Sequence, residues 1–248
     1  MRRATLRVMN DADQFGLIAD ALTHNGFAFL PAPRFSALLP SDALEDAANF
    51  VASWGQLGLD MYMADGGRYR RRRFGAFAVS TNDIVRKPHQ PHYQSRDYNP
   101  VNGGIERWFD PIADSVVRHP IMQACLTTAC TLFDSLTPNP PLVWHTEVHQ
   151  FRIEAQPGGV AYPTPEGMHR DGVDWVLVLL IARENIAEGV TTIYDLARQP
   201  LGSFALTAPF DAALVDDSRV YHGVTAVKPL DPKRPAYRDV LVATFRRP

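Results

Sequence analysis

Cysteine is scarce in this chain, two residues in 248, and both fall in one helix-like stretch. Cys125 and Cys130 are five positions apart and would leave a helix on different sides. No disulfide is expected, and a reducing, cytoplasmic setting is the natural one. An excess of either charge is also missing: 25 Lys and Arg stand against 27 Asp and Glu, a formal net charge of −2. The chain therefore offers no overall field for nucleic acid or an anionic membrane. Long apolar runs are lacking too. The longest, Trp175 to Ala182, is far too short to span a bilayer. The opening MRRATLRVMNDADQF carries three arginines but no apolar h-region of a secretory leader. No repeat or low-complexity linker divides the chain. Nothing here bears on the oligomeric state.

What is present is ordinary globular material, 46% hydrophobic and 21% charged. Such a length buries a self-sufficient core, so residues 1–248 are read as a single domain. The first part, 1–140, is helix-rich with a strand or two. TLRVM (5–9) has strand character, and Asp11 can N-cap a helix running to about His24, broken by Gly26 before the apolar FAFL. SDALEDAANFVASW (41–54) has helical spacing after a capping serine, and Pro120 to Leu136 is a further helix, closed by TPNPP. RYRRRRFGAFAV (68–79) turns strand-like in its second half, and Gln90 to Asn102 reads as irregular loop.

From 141 to 248 the texture changes. LVWHTEVHQFRI, DWVLVLLIA, VTTIYDL, GSFALTA, AALVDD, RVYHGVTAV and YRDVLVATF are short β-rich runs separated by Gly, Pro or Asp. Even, short strands of this kind predict a sandwich or barrel rather than βαβ units. The expected fold is mainly β with flanking helices (α+β), the helices packed on a jelly roll.

The chemistry gathers before and within these strands. His169 and Asp171, at i and i+2 in EGMHRDG, project together if the backbone is extended. His222 in RVYHGVTAV supplies a third ligand, and two histidines with one carboxylate are the facial set used by non-haem Fe(II) oxygenases. The plainer reading is a loop hydrogen bond between His169 and Asp171, with His222 a core histidine. Arg238 lies among Val240 and Val242, where an unpaired charge is costly and calls for an anion. A dicarboxylate matches its fork, and an internal partner such as Asp216 is the alternative. His145, Glu147 and His149 share another strand face, but one strand spreads them too far for a single ion. RYRRRR, without a basic surplus elsewhere, reads as a strand with alternate arginines, one of which could take a substrate carboxylate.

Several blocks carry a resemblance: RYRRRRFG (68–75), QSRDYNPVNGGIERWF (94–109), HQFRI (149–153), PTPEGMHRDG (163–172), TTIYD (191–195), YHGVT (221–225) and RDVLVATF (238–245). In this order they resemble the bacterial 2-oxoglutarate/Fe(II) dioxygenase family that includes L-isoleucine hydroxylases and proteins linked to biofilm, stress and motility. The resemblance runs from about residue 60 to the end. It implies a double-stranded β-helix (jelly roll, cupin-like) in which His169, Asp171 and His222 hold Fe(II). By the same match Arg238 holds the distal carboxylate of 2-oxoglutarate, and O₂ is the oxidant. Related oxygenases often place a serine or threonine two residues after that arginine, where this chain has Val240. Gln150, Thr192 and Tyr194 are polar side chains near the expected co-substrate. His149 and Arg152 are candidates for the substrate, which the resemblance implies is a small molecule and most naturally a free L-amino acid. The 82–105 stretch is the expected lid. Two alternatives stay open: a non-catalytic metal-binding or regulatory β-helix, and a zinc hydrolase, which would need no Arg238.

Overall fold

The computed structural model describes residues 11–248, so the strand expected in TLRVM lies outside the described residues. Helix α1 spans Asp11–Asn25 and ends at Gly26, whose φ of +75° is left-handed and open to glycine. FAFL follows as edge strand β1 (Phe27–Leu30), then a short helix α2 (Ala32–Ser36). The helix expected over 41–54 is curtailed. Residues 41–46 close i→i+3 hydrogen bonds, such as Ala43 to Pro40 and Glu45 to Asp42, and so wind as turns. Only α3 (Ala47–Ala52) is α-helical, running on into a 3₁₀ turn at Ser53–Gln56. Strands β2 (Gly58–Leu59), β3 (Arg70–Val79) and β4 (Ile84–Arg86) come next, then helices α4 (Asp114–Val117) and α5 (Pro120–Leu136). The last matches the span read from its apolar periodicity.

All seven β-rich runs form strands. In chain order they are β5 (Trp144–Glu154), β6 (Trp175–Glu184), β7 (Ile186–Glu188), β8 (Val190–Tyr194), β9 (Pro200–Ala205), β10 (Ala212–Asp216), β11 (Tyr221–Val224), β12 (Val227–Pro229) and β13 (Tyr237–Arg246), of which β7 and β12 are short additions. The large sheet has the order β1-β10-β6-β13-β5-β3-β2, with β4 on β3. Facing it are β11-β8-β9 and the pair β12-β7. The segment between β5 and β6 touches this second layer at two isolated bridges, Ala161 with Val227 of β12 and His169 with His222 of β11. From β5 onward the chain thus passes back and forth between two antiparallel layers. That winding is the double-stranded β-helix. The described part of the first 140 residues adds four strands rather than one or two, β1 at one edge and β2 to β4 at the other.

Period-two alternation gives each large-sheet strand two destinations. Trp175, Leu177, Leu179 and Ile181 of β6 and Leu241, Ala243 and Phe245 of β13 join the helix-side core. There Phe133 of α5 stacks on Trp175 with centroids 5.0 Å apart and meets Phe245 edge-on at 5.1 Å. Truncating an aromatic so placed costs about 3–5 kcal/mol. Cys125 and Cys130 are buried here as free thiols. The alternate residues, among them Val176, Val178, Val240 and Val242, face the space between the sheets and line a cavity of about 340 Å³. Among the described residues no helix is long and apolar enough to cross a membrane.

Candidate active site

His169, Asp171 and His222 meet in that cavity. The main chains of His169 and His222 exchange N–H···O bonds of 2.9 Å in both directions, and their rings lie 4.4 Å apart. Asp171 presents Oδ1 3.8 Å from His169 Nε2 and Oδ2 3.6 Å from His222 Nε2. Two ligands each about 2.1 Å from one ion can be at most about 4.2 Å apart, and both separations fall inside that span. His169 Nδ1 is 3.0 Å from the Gly167 carbonyl. Donating there fixes the proton on Nδ1 and leaves the Nε2 lone pair for a metal.

Asp171 is not on a strand, however. The carboxylate of buried Asp217 accepts from the amides of Asp171, Gly172 and Val173 at 2.9, 2.8 and 3.1 Å and turns the chain there. Gly172 sits at φ +80°, and a Cβ on it would stand 2.6 Å from the Tyr98 ring. Asp217 was missed from sequence, where one aspartate beside another carries no signal.

The electrostatics favour a cation. Burial pushes Asp171 up, and the charge of Glu166 adds to this. Burial and the neighbouring His169 hold His222 down at about 3, so it is a neutral imidazole. At His169 burial pulls downward, but the charges of Asp171 and Glu166 outweigh it and leave the ring raised. Glu166 Oε1 lies 3.4 Å from His169 Nε2. Two imidazoles and a carboxylate, crowded by the further charge of Glu166, suit a divalent transition metal with open positions.

Arg238, on β13, lines the same cavity with 3% of its surface exposed. It has no acidic partner among the described residues, and its Nε makes no hydrogen bond. Burial and the charge of Arg183, its cross-strand neighbour, lower it to about 10. The internal partner considered above is otherwise engaged: Asp216 accepts from Ser218 Oγ at 2.6 Å and faces Arg219 at 3.9 Å. A buried arginine without a counter-ion fits an anionic ligand.

Four expected side chains lie outside the lining, and strand alternation is the reason. Thr192 bonds Ser203 at 2.9 Å on the outside of the small sheet, while Thr191 faces the cavity. Gln150 donates to Ser53 Oγ at 3.0 Å, and Arg152 grips Asp239 through two bonds of 2.8 and 2.7 Å, both on the face of β5 away from the cavity. Tyr194 is not part of the lining. His149 is.

The wall facing the triad was largely unread. Arg70 and Arg72 of β3 point inward and share buried Asp60, at 2.8 and 3.6 Å. Arg72 also lies 3.7 Å from the Phe109 ring centroid and 2.7 Å from His149 Nδ1. The irregular 87–113 segment adds His92, Gln94, Tyr98, Asn99 and Arg107 to the lining. Gln94 donates to the Asp171 carbonyl and to Oδ1, both at 3.2 Å.

A second trio, His92, Glu147 and His149, also brings donor atoms within 4.8 Å of one another. His92, far away in sequence, replaces His145 in the set considered earlier. Hydrogen bonding argues against a metal here. Arg72 has only protons to give, so His149 accepts at Nδ1 and carries its proton on Nε2, where a ligand lone pair would have to be. His92 Nδ1 meets Glu147 Oε2 at 2.7 Å, and His145 Nε2 meets Oε1 at 3.4 Å. This is a hydrogen-bonded wall in the field of Arg72 and Arg107.

Comparison with known proteins agrees with this geometry. The sequence profile of the 2OG-Fe dioxygenase family matches residues 51–244. The chain is 26% identical to the 3(1)-hydroxy-L-isoleucine 4-dioxygenase of Pantoea ananatis, over 92% of this chain and 95% of that protein. It is also 26% identical to the L-isoleucine-4-hydroxylase of Bacillus thuringiensis, over 77% and 81% of the two chains. Among solved structures, a bsmA homolog from Methylobium petroleophilum superposes with a TM-score of 0.84 at 37% identity, covering 94% of this chain and 92% of the other.

Proposed function

Since the chain belongs to the 2OG-Fe dioxygenase family, we propose that it hydroxylates a C–H bond of a small substrate, with a free L-amino acid as the class best supported. Fe(II), 2-oxoglutarate and O₂ are the cofactor, co-substrate and oxidant of that family. In the proposed reaction a C–H substrate, 2-oxoglutarate and O₂ give the alcohol, succinate and CO₂.

One observation carries the reading: a two-histidine, one-carboxylate set shares a cavity with a buried arginine that lacks a counter-ion. His169, Asp171 and His222 would hold the metal, and Arg238 would hold the far carboxylate of 2-oxoglutarate. Bound Fe(II) would supply the O₂ chemistry that amino-acid side chains lack. The protein's own part is orientation and dryness. Asp217 fixes the main chain that carries Asp171, Gly167 sets the His169 tautomer, and Gln94 braces Asp171 from the opposite wall. Val178, Val240 and Val242 keep the co-substrate's side of the cavity apolar. The amino-acid class rests on the two relatives named for action on isoleucine or its hydroxy derivative. The non-catalytic β-helix alternative is not supported, because both of these relatives are named as oxygenases.

Anaerobic Fe(II) titration with and without 2-oxoglutarate tests the first half. A visible charge-transfer band that needs both components is expected, and its absence from fully metallated protein would refute the assignment. Succinate release across a panel of the twenty amino acids tests the second half.

A further inference from the structure

The cavity holds more buried charge than a metal and 2-oxoglutarate account for. Arg70 and Arg72 share the single carboxylate of Asp60, at 2.8 and 3.6 Å, with Arg72 also held by His149, and Arg238 is the anchor assigned to the co-substrate. Arg107 remains. Its side chain is among the largest fully buried ones in the protein, with 2% of the residue exposed, yet it makes no ion pair among the described residues. Among the described residues its Nε has no hydrogen-bond partner, and the only side-chain bond from the guanidinium is a long one, 3.5 Å from Nη2 to Gln94 Oε1. Gln94 in turn contacts Asp171, so the guanidinium stands one amide side chain away from the candidate metal ligands.

An acid in the same lining is orphaned in the opposite sense. Glu166 Oε2 is buried and accepts nothing. The two groups do not pair with each other, yet both line the one cavity; burial and the charge of Arg70 push Arg107 down, and Asp60, then Glu166 and Glu147, oppose that pull. Glu147 is a poorer free acceptor, since both its oxygens already face imidazoles. A buried cation with no counter-ion, and a carboxylate with one oxygen against His169 and the other left without a donor, call for a guest that carries both complements.

We propose that Arg107 and Glu166 form a zwitterion clamp, Arg107 taking the α-carboxylate of the substrate and Glu166 its ammonium group. The clamp rests on the amino-acid reading above and gives it residues. Arg107 was within the QSRDYNPVNGGIERWF block of the sequence, but nothing there marked it as buried. Its main chain pairs with His92 through two bonds of 3.0 Å, which draws it into the cavity.

The test uses the anaerobic Fe(II)·2-oxoglutarate complex, with substrate binding followed as a perturbation of the charge-transfer band. The probes are L-isoleucine, L-leucine, L-valine and L-methionine, their carboxamides, and the matching 2-hydroxy acids. In the wild-type protein the best amino acid should bind about 100-fold more tightly than its amide or its hydroxy acid, the scale set by unpairing one buried charge. Arg107→Met should weaken the amino acid about 100-fold and bring the acid-to-amide ratio close to one. Glu166→Gln should instead erase the preference for the amino acid over the hydroxy acid. Both variants should develop the band at wild-type 2-oxoglutarate concentrations, which reports an intact fold and co-substrate site. If Arg107→Met keeps the wild-type acid-to-amide ratio, the clamp is wrong while the amino-acid reading survives. If no amino acid perturbs the wild-type complex, the amino-acid reading fails and the clamp fails with it.

Discussion

His169 and His222 are tied to each other by their main chains, with an N–H···O bond of 2.9 Å in each direction. Their rings are therefore positioned by backbone that does not depend on the imidazoles.

Replacing His222 by alanine should accordingly spare the fold and remove the metal. The metal-free variant is expected to melt within a few degrees of wild type, since the bridge to His169 is retained and a buried Nδ1 without a partner is removed. Fe(II) affinity should fall by more than the roughly 10–100-fold that loss of an outer partner costs. Thermal melts with and without Fe(II) check both statements.

Asp217 touches no metal, yet it should control metal affinity. Its carboxylate gathers three successive amides around Asp171. Asp217→Asn keeps the shape but gives up the charge and one acceptor, and should weaken Fe(II) binding about 10–100-fold with all three ligands present. Calorimetric titration measures this directly. Asp217→Ala should also lower stability, by roughly 1–3 kcal/mol for each amide left unsatisfied.

Arg238→Met separates function from stability. The side chain is buried without a counter-ion, so an apolar replacement of similar length should leave the melting temperature of the ligand-free protein unchanged or raise it. The apparent 2-oxoglutarate affinity should fall at least about 100-fold, because the dicarboxylate loses its buried partner. A variant that melts lower and binds 2-oxoglutarate normally would show that the arginine serves the fold.

Acid should destabilise the metal-free protein before its carboxylates titrate. Burial holds His92 at about 4, against an ordinary 6.5, although Glu147 pulls the other way. Between those two pH values the unfolded chain binds a proton that the folded chain does not, so stability falls as pH drops from 6.5 toward 4, by roughly 3 kcal/mol for this one group. His92→Gln retains a donor for Glu147 and should flatten that part of the curve. Buried His149 is also depressed, which keeps some slope. Urea unfolding at pH 4.5, 5.5 and 7.5 compares the two proteins.

The sheet was readable because its strands announce themselves: each apolar run from Trp144 to Arg246 is bounded by Gly, Pro or Asp. The candidate metal set was readable from donor chemistry, although the extended-strand argument for His169 and Asp171 was not the operative one. A buried aspartate forty-six residues later shapes that loop. Errors of face were errors of one position. Thr192 was named where Thr191 faces the cavity, and Gln150 and Arg152 were named beside His149, which alone of the three faces it on a strand buried on both sides. When helices cover one face and a cavity lies on the other, polarity no longer marks which side is inside. The 87–113 wall has no periodicity at all, so Arg107 and Gln94 emerge only when the chain is folded.

The seat of Tyr98 on Gly172 and the grip of Gln94 on Asp171 have a mechanical corollary. Any outward displacement of the 93–99 strap must first release the carboxylate of the candidate ligand Asp171, so the two cannot move independently. A bulky side chain at position 172 would prop that strap outward and slacken the hold on Asp171 in the same stroke.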